Sequence, residues 1–381
     1  MQYRQFGKHG FEASIIGLGT MRLPLLEGGA QTDIDEKQAI ELIRKAIDLG
    51  VNYIDTAYVY HGGKSEVVLG KALLDGYREK VTLADKNPVW LAETYEDFEK
   101  YFNIQLERLQ TDTIDVYLLH ALDLKSWRRI KALGVLRFLD DMLEKGKIKV
   151  AGFSFHDKHD AFIEIVESYN WGMTLLQMNY MDEFEQATLK GLEYAGQLGI
   201  PVVVMEPLKG GLLASAPADV AEIMADRQPE WSPVEWSFRW LAQRPEVNVI
   251  LSGMSAKEQL LENVHIGKDL KEQPLKPDDF KSIELIRETY QSRIKVTCTQ
   301  CQYCMPCPVG VDIPKNFKLY NTGSVYDNWK EVSNTYQNSM KPETKASACV
   351  SCHKCEEHCP QHIKISKALK EADHYLREQS L

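Results

Sequence analysis

Cysteine is missing from the first 297 residues of this 381-residue chain. Most of its length is therefore not a disulfide-stapled scaffold of the small secreted kind. Long apolar runs are missing too: no stretch approaches the ~20 residues of a membrane span, so no membrane partner is expected. Basic charge is not in excess. The chain carries 45 Lys and Arg against 55 Asp and Glu, a formal balance of −10, which argues against a nucleic-acid partner. The opening Met1 to Gly7 lacks a basic region followed by an apolar run. That predicts no secretory export and a cytoplasmic location. There is no low-complexity tract, and the charged fraction is ordinary for a soluble protein. Finally, no Gly-x-Gly-x-x-Gly follows the first predicted strand, and Gly17-Leu-Gly19 alone is too weak to stand for it.

What cysteine there is falls in two short runs. The first holds Cys298, Cys301, Cys304 and Cys307, followed by Pro308. The second holds Cys349, Cys352, Cys355 and Cys359, followed by Pro360. The second run matches the two-cluster ferredoxin spacing C-x2-C-x2-C-x3-C-P; the first is one residue short before Cys307. Eight thiolates are what two [4Fe-4S] cubanes need. Zinc favours cysteine pairs separated by a spacer, and disulfides favour an oxidising compartment, so both rivals fit less well. In ferredoxins of this pattern the fourth cysteine of each run reaches across to the other cluster. Carried over, that gives Cys298, Cys301, Cys304 and Cys359 to one cubane, and Cys349, Cys352, Cys355 and Cys307 to the other. The short spacing before Cys307 makes its assignment the one to check.

The chain is too long for a single small domain. A polar, proline-bearing stretch at Lys271–Asp279 marks a boundary between residues 1–270 and 271–381. In the first part short apolar strands alternate with amphipathic helices. Tyr3 to Gly17 reads as a hairpin, turning at Lys8-His9-Gly10, that leads into a strand. Strands are predicted at 14–17, 51–55, 81–86, 114–120, 149–153, 174–177, 201–205 and 248–251. Helices are predicted at 37–49, 67–74, 128–145, 161–169 and 185–198, among others. Eight strand–helix repeats over about 270 residues fit a (β/α)8 TIM barrel, typically ~250 residues long. The second part reads as helices between and after the cysteine runs, closing with one over 364–376.

Active sites of such barrels lie at the C-terminal strand ends. Asp55, Lys86 and His120 close three successive predicted strands, and Tyr60 follows Asp55 by five residues. Each alone could be a cap or a rim residue; together they bring four proton-handling groups to one mouth. Tyr, with a pKa near ~10, is a poor acid or base at neutral pH. A buried Lys ammonium beside it is expected to lower that pKa, with Asp55 holding Lys86 charged. His120 is expected to donate a hydrogen bond to a substrate oxygen. The set suits protonation of a carbonyl oxygen as hydride reaches carbon, or the reverse.

At this point the chain resembles the aldo-keto reductases, in the branch that carries a C-terminal ferredoxin-like domain. The resemblance rests on Gly17-Leu-Gly-Thr-Met21, Asn52-Tyr-Ile-Asp-Thr-Ala57 with Tyr60, Ser65-Glu66 with Leu69–Leu73, Lys86, and Asp115–His120. It continues with Gly152-Phe-Ser154, Gln177, Pro207–Leu213 and Gly253–Asn263. These motifs cover roughly residues 1–270 in family order. The resemblance implies a catalytic tetrad of Asp55, Tyr60, Lys86 and His120, with Tyr60 as the acid/base. It implies NADP, or NAD, bound without a Rossmann fold, and a small-molecule carbonyl or alcohol substrate. Gly19, Thr20 and Met21 would line the cofactor cleft. Ser154 and Gln177 match the carboxamide pair; the usual Asn after that Ser is Phe155, and His156 is its candidate substitute. Met205 stands where many members place a Tyr on the nicotinamide ring. Pro207, Leu208, Lys209 and Gly211 fit the pyrophosphate loop. Ser255, Gln259, Glu262 and Asn263 match the adenosine end, where an Arg clamp for a 2′-phosphate is not found. Segments 122–131, with Trp127, and 229–240 are candidate substrate walls.

A hydride carries two electrons and a cubane accepts one at a time. Three readings follow. The clusters relay electrons between the reductase and a redox protein partner, or they hold the C-terminal domain in shape. In the third, the barrel is non-catalytic and the protein is an iron–sulfur electron carrier or redox sensor.

Overall fold

The computed structural model describes residues 1–272 and 274–378. Among these, a hairpin of β1 (Tyr3–Gln5) and β2 (Glu12–Ser14) precedes eight parallel strands that close into a barrel. They are β3 (Ile16–Gly19), β4 (Tyr53–Asp55), β5 (Thr82–Asn87), β6 (Ile114–Leu122), β7 (Ile148–Phe155), β8 (Met173–Gln177), β9 (Val202–Met205) and β10 (Val247–Ser252). Each strand pairs with the next in sequence, and β10 closes on β3. The TIM barrel read from the strand–helix alternation is the fold observed.

The chain groups into two compact units, Met1–Gly210 with Val234–Leu275, and Gly211–Pro233 with Lys276–Leu381. In the first unit Tyr53, Ala84, Val116, Leu118, Val150, Leu175, Val203, Val249 and Leu251 fill the barrel, and Phe6 of the hairpin joins that core. Side chains alternate along a strand. The next inward position beyond Tyr53 is Asp55, beyond Ala84 Lys86, beyond Leu118 His120, beyond Leu175 Gln177, and beyond Val203 Met205. The core pattern itself thus aims these residues at the C-terminal mouth. Gly17 is required by close approach: a Cβ there would stand 2.7 Å from Val249 and 2.9 Å from Leu251. Gly70, in helix Lys64–Ala72, lets its backbone rest on that of helix Glu96–Leu109, 2.6 Å from the Arg108 carbonyl oxygen to a built Cβ.

One predicted helix differs. The span 128–145 is two helices, Leu124–Ala132 and Val135–Glu144, broken at Gly134 with φ 87°. A glycine in the left-handed region ends the first helix where continuous apolar periodicity suggested none. The first of the pair starts on a reciprocal cap, Asp123 accepting from Ser126 N and the Ser126 hydroxyl from Asp123 N.

The second unit is helical. Helices Ala218–Arg227 and Pro277–Ser292 pack together, and Arg227 Nε meets the buried Asp279 at 2.7 Å. The segment 211–233 groups with these later helices. Val311, Ile313, Phe317, Tyr320, Val332, Tyr336, Ile365, Leu369 and Leu376 form a second core. Cys298, Cys304, Cys307, Cys349, Cys355 and Cys359 pack against it, each partly buried. No helix among the described residues is long and apolar enough to cross a membrane.

Candidate active site and cysteine cavities

Lys86 is the centre of the barrel mouth. Its ammonium lies 2.5 Å from Asp55 Oδ1, 2.6 Å from the Thr56 carbonyl and 3.5 Å from the Tyr60 hydroxyl, with the side chain 1 % exposed. Burial alone would draw that ammonium's pKa down; Asp55, and Tyr60 after it, outweigh burial and leave it raised. Burial pushes the Asp55 carboxyl up while Lys86 pulls it back. The His120 ring meets Tyr60 edge-on, centroids 6.2 Å apart. Burial first, then Lys86 and His156, hold His120 well below the usual 6.5, so its imidazole is neutral. Its Nδ1 is buried without a partner among the described residues.

At Tyr60 the expectation is corrected. Lys86 does draw the phenol down, but burial pushes it up by more, and Asp55 and Asp85 add to the push. The net shift is upward, so Tyr60 is a protonated phenol at neutral pH.

Three buried polar residues, Ser65, Glu66 and Asp85, were given no role by the sequence reading. Ser65 joins the loops after β3 and β4, its hydroxyl 2.7 Å from Thr20 Oγ1 and 3.0 Å from Thr56 Oγ1. Glu66 beside it is fully buried, held by Arg108 at 2.7 Å and Gln105 at 3.1 Å. Asp85, one residue before Lys86, is also fully buried and accepts from Lys86 N. Its Oδ2 finds no donor among the described residues. Burial first, and the neighbouring Glu66 second, push its carboxyl well above the ordinary range. Trp90 was also missed. It is 44 % exposed and packs on His120 at 5.1 Å, four residues past Lys86 in the loop leaving β5. Of the two candidate wall segments, Trp127 in the first and Trp236 and Trp240 in the second are core residues. Residues 123–128 do border an open cavity, lined by Asp123, Leu124, Lys125, Arg128, His156 and Asp157.

The candidate cofactor residues take varied places. Gly19 ends β3; Thr20 is buried, donating to the Asp55 carbonyl; Met21 is exposed. Ser154 Oγ accepts from Ala121 N at 2.7 Å, and Gln177 Oε1 accepts from Gln186 Nε2 at 2.8 Å. Met205 and Leu208 are half-buried; the Pro207 carbonyl accepts from Ser237. Lys209 is ion-paired with Asp182, and Gly211 ends the same short turn with φ 98°. Gln259 accepts from Ser255 N and Ala256 N, closing the start of helix Lys257–Asp269. Asn263 is buried on Ser252, and Glu262 is exposed. Asp115 lies at the opposite end of β6, bound by Arg78 and Lys149, and serves stability rather than chemistry.

In the second unit one cavity is lined by Cys298, Cys301, Cys304 and Cys359, and another by Cys307, Cys349, Cys352 and Cys355. Each set takes three sulfurs from one run and the fourth from the other. Apolar side chains complete the walls: Ile313, Phe317, Ile363 and Ile365 in the first, Val309, Ile313, Val350 and Leu369 in the second. Four sulfurs around an apolar hollow are the donor set of a [4Fe-4S] cluster. The short spacing before Cys307 does not keep it from the cavity of the second run.

Comparison with known proteins adds three findings. The sequence pattern of the "Aldo/keto reductase family" matches residues 15–288, and that of a "4Fe-4S dicluster domain" matches residues 297–363. Among similar proteins, "Uncharacterized oxidoreductase YqkF" of Bacillus subtilis is 26 % identical over 69 % of this chain and 90 % of its own. A "6-dehydroglucose reductase" of Novosphingobium aromaticivorans is 28 % identical over 70 % of this chain and 90 % of its own. The solved structure of aldo-keto reductase AKR11C1 from Bacillus halodurans superposes with TM-score 0.62 at 24 % identity, covering 75 % of this chain and 96 % of that one. At that identity the likeness speaks for the fold.

Proposed function

The chain belongs to the aldo/keto reductase family and carries a 4Fe-4S dicluster domain, and from that premise we propose that it is an NAD(P)H-dependent carbonyl reductase with Tyr60 as its acid. The observation that carries this is the Lys86 ammonium, buried between Asp55 and the Tyr60 hydroxyl with His120 against the same ring. Tyr60 gives its proton to the carbonyl oxygen. The phenolate that remains is stabilised by Lys86, and Asp55 keeps Lys86 charged and in place. Neutral His120 donates a hydrogen bond to the same oxygen and orients it. Ser154, Gln177, Met205 and Lys209 are the residues that would hold the dinucleotide, with Ser255, Gln259, Glu262 and Asn263 at its adenosine end. When bound, the nicotinamide supplies the hydride. The polar cavity beside His156, and a relative named for a dehydroglucose, support a hydroxyl-rich carbonyl as the first substrate class to try.

Tyr60→Phe tests the reading. It should cut kcat for NADPH-linked carbonyl reduction by at least ~100-fold, the usual worth of a general acid, and leave dinucleotide binding intact. Unchanged reduction in that variant would remove Tyr60 from the chemistry. No reduction in the parent chain across sugar, aliphatic and aromatic carbonyls would favour the non-catalytic reading.

Cys298, Cys301, Cys304 and Cys359 would hold one [4Fe-4S] cluster, and Cys307, Cys349, Cys352 and Cys355 the other. Bound there, each cluster supplies a one-electron centre. Because six of these cysteines lie in the wall of the second core, the clusters complete that core. A second role, exchange of electrons with a redox partner, is favoured by Cys301 and Cys352, one exposed sulfur in each set.

A further inference from the structure

The loop leaving β8, from Asn179 to Thr188, grips two of the side chains assigned above to the cofactor. At one end Asn179 is folded back on the loop. Its Oδ1 accepts from Met181 N at 3.0 Å and Asp182 N at 3.1 Å. Its Nδ2 donates to Asp182 Oδ2 at 3.0 Å and to the Glu206 carbonyl at 3.2 Å. Asp182, 8 % exposed, is thereby fixed before it meets Lys209. Lys209 Nζ then reaches both of its oxygens, at 2.5 and 2.6 Å. At the other end Gln186 Nε2 donates to Gln177 Oε1. Gln186, Glu206 and Lys209 all have left-handed backbones, φ 52°, 56° and 49°. Non-glycine residues hold that conformation only when the surroundings impose it, which points to a built clasp.

Lys209 has three N–H donors, and Asp182 engages it through both carboxylate oxygens. A dinucleotide phosphate reaching the same ammonium must displace the carboxylate or share it, and sharing brings two anions to within a few ångströms. The Asn179 contacts keep Asp182 from swinging away freely.

We propose that Asp182 is a positioning residue that sets dinucleotide affinity by competing with the cofactor's phosphate for Lys209. This rests on the reading of the barrel as an NAD(P)H-dependent reductase. Asp182 acts against binding in the ground state. The clasp therefore weakens cofactor retention and lets the oxidised dinucleotide leave.

The test is equilibrium titration of the full, cluster-loaded chain with NADPH, under anaerobic conditions, for the parent, Asp182→Asn, Lys209→Met and the double variant. Asp182→Asn should tighten Kd about 2- to 5-fold, the span of a partly exposed charge pair. KM for NADPH should fall with it, while kcat stays level or drops. Lys209→Met should weaken binding, and Asp182→Asn should then have no effect in that background. A merely structural Asp182 cannot produce a gain in affinity. Equal or weaker binding by both Asp182→Asn and Asp182→Ser overturns the proposal. Lys209→Met binding like the parent overturns it too, while the reductase reading stands as long as the dinucleotide binds. If the parent chain binds no dinucleotide, both fall together.

Discussion

Tyr60 lies 3.5 Å from a charged ammonium and still keeps its proton, because burial counts for more there than the cation does. A group whose pKa is raised is protonated everywhere below it. The acid form of Tyr60 is thus present through the neutral range and is lost only above about pH 10. His120, held low by burial, adds no inflection near 6.5. kcat for carbonyl reduction should therefore run flat from about pH 7 to 10, with an alkaline fall beyond it that Tyr60→Phe abolishes. A midpoint near pH 8 would contradict this. At Asp85 the sign is that of a buried acid kept protonated. Its contribution to stability is present below the unfolded carboxyl pKa and is lost as pH rises above it. Asp85→Asn keeps the shape of the side chain and removes the ionisation. It should raise the barrel's melting temperature by about 2–4 °C at pH 8, as ~1 kcal/mol would, and by less at pH 5. A lower melting temperature at pH 8 would show that Asp85 is needed as an anion.

The strands were legible because inward positions alternate. Placing Tyr53 and Ala84 in the core already places Asp55 and Lys86 at the mouth. Ser154 and Gln177 are positioned by the same rule. The Gly134 break was hidden, since apolar spacing runs through it and only its backbone angle reveals the turn. Asp182, Gln186 and Trp90 were hidden for a related reason: loops have no period, and these contacts join residues far apart in sequence. The balance at Tyr60 was hidden because the depth of burial cannot be read from neighbours in the chain. In the second unit, spacing gave the cysteine sets, and the cavity walls agree with them down to Cys307. Cys307→Ala should therefore lose the cluster of the second run. Iron should fall from about eight to about four atoms per chain, and the surviving paramagnetic signal should be insensitive to Cys349→Ala. Loss of the Cys298-run cluster instead would reverse the assignment.

On the proposed reading the chain joins a barrel that handles electron pairs to a dicluster unit that handles single electrons. A hydride donor has no single electron to give a cubane, so coupling the two chemistries needs a mediator, such as a flavin, that takes two electrons and releases them one at a time. Anaerobic NADPH should leave the cluster absorbance unchanged, dithionite should bleach it, and NADPH should bleach it only when free flavin is added. Bleaching by NADPH alone would mean that the barrel splits the pair itself. The molecule also carries its own optical probe. Trp127, Trp171, Trp236 and Trp240 are buried and Trp231 and Trp329 partly so, whereas Trp90 is 44 % exposed and stands against His120. The part of the iodide-quenchable fluorescence that Trp90→Phe removes should therefore report on the mouth. Candidate carbonyls can then be ranked by how well they shield that emission before any turnover is measured.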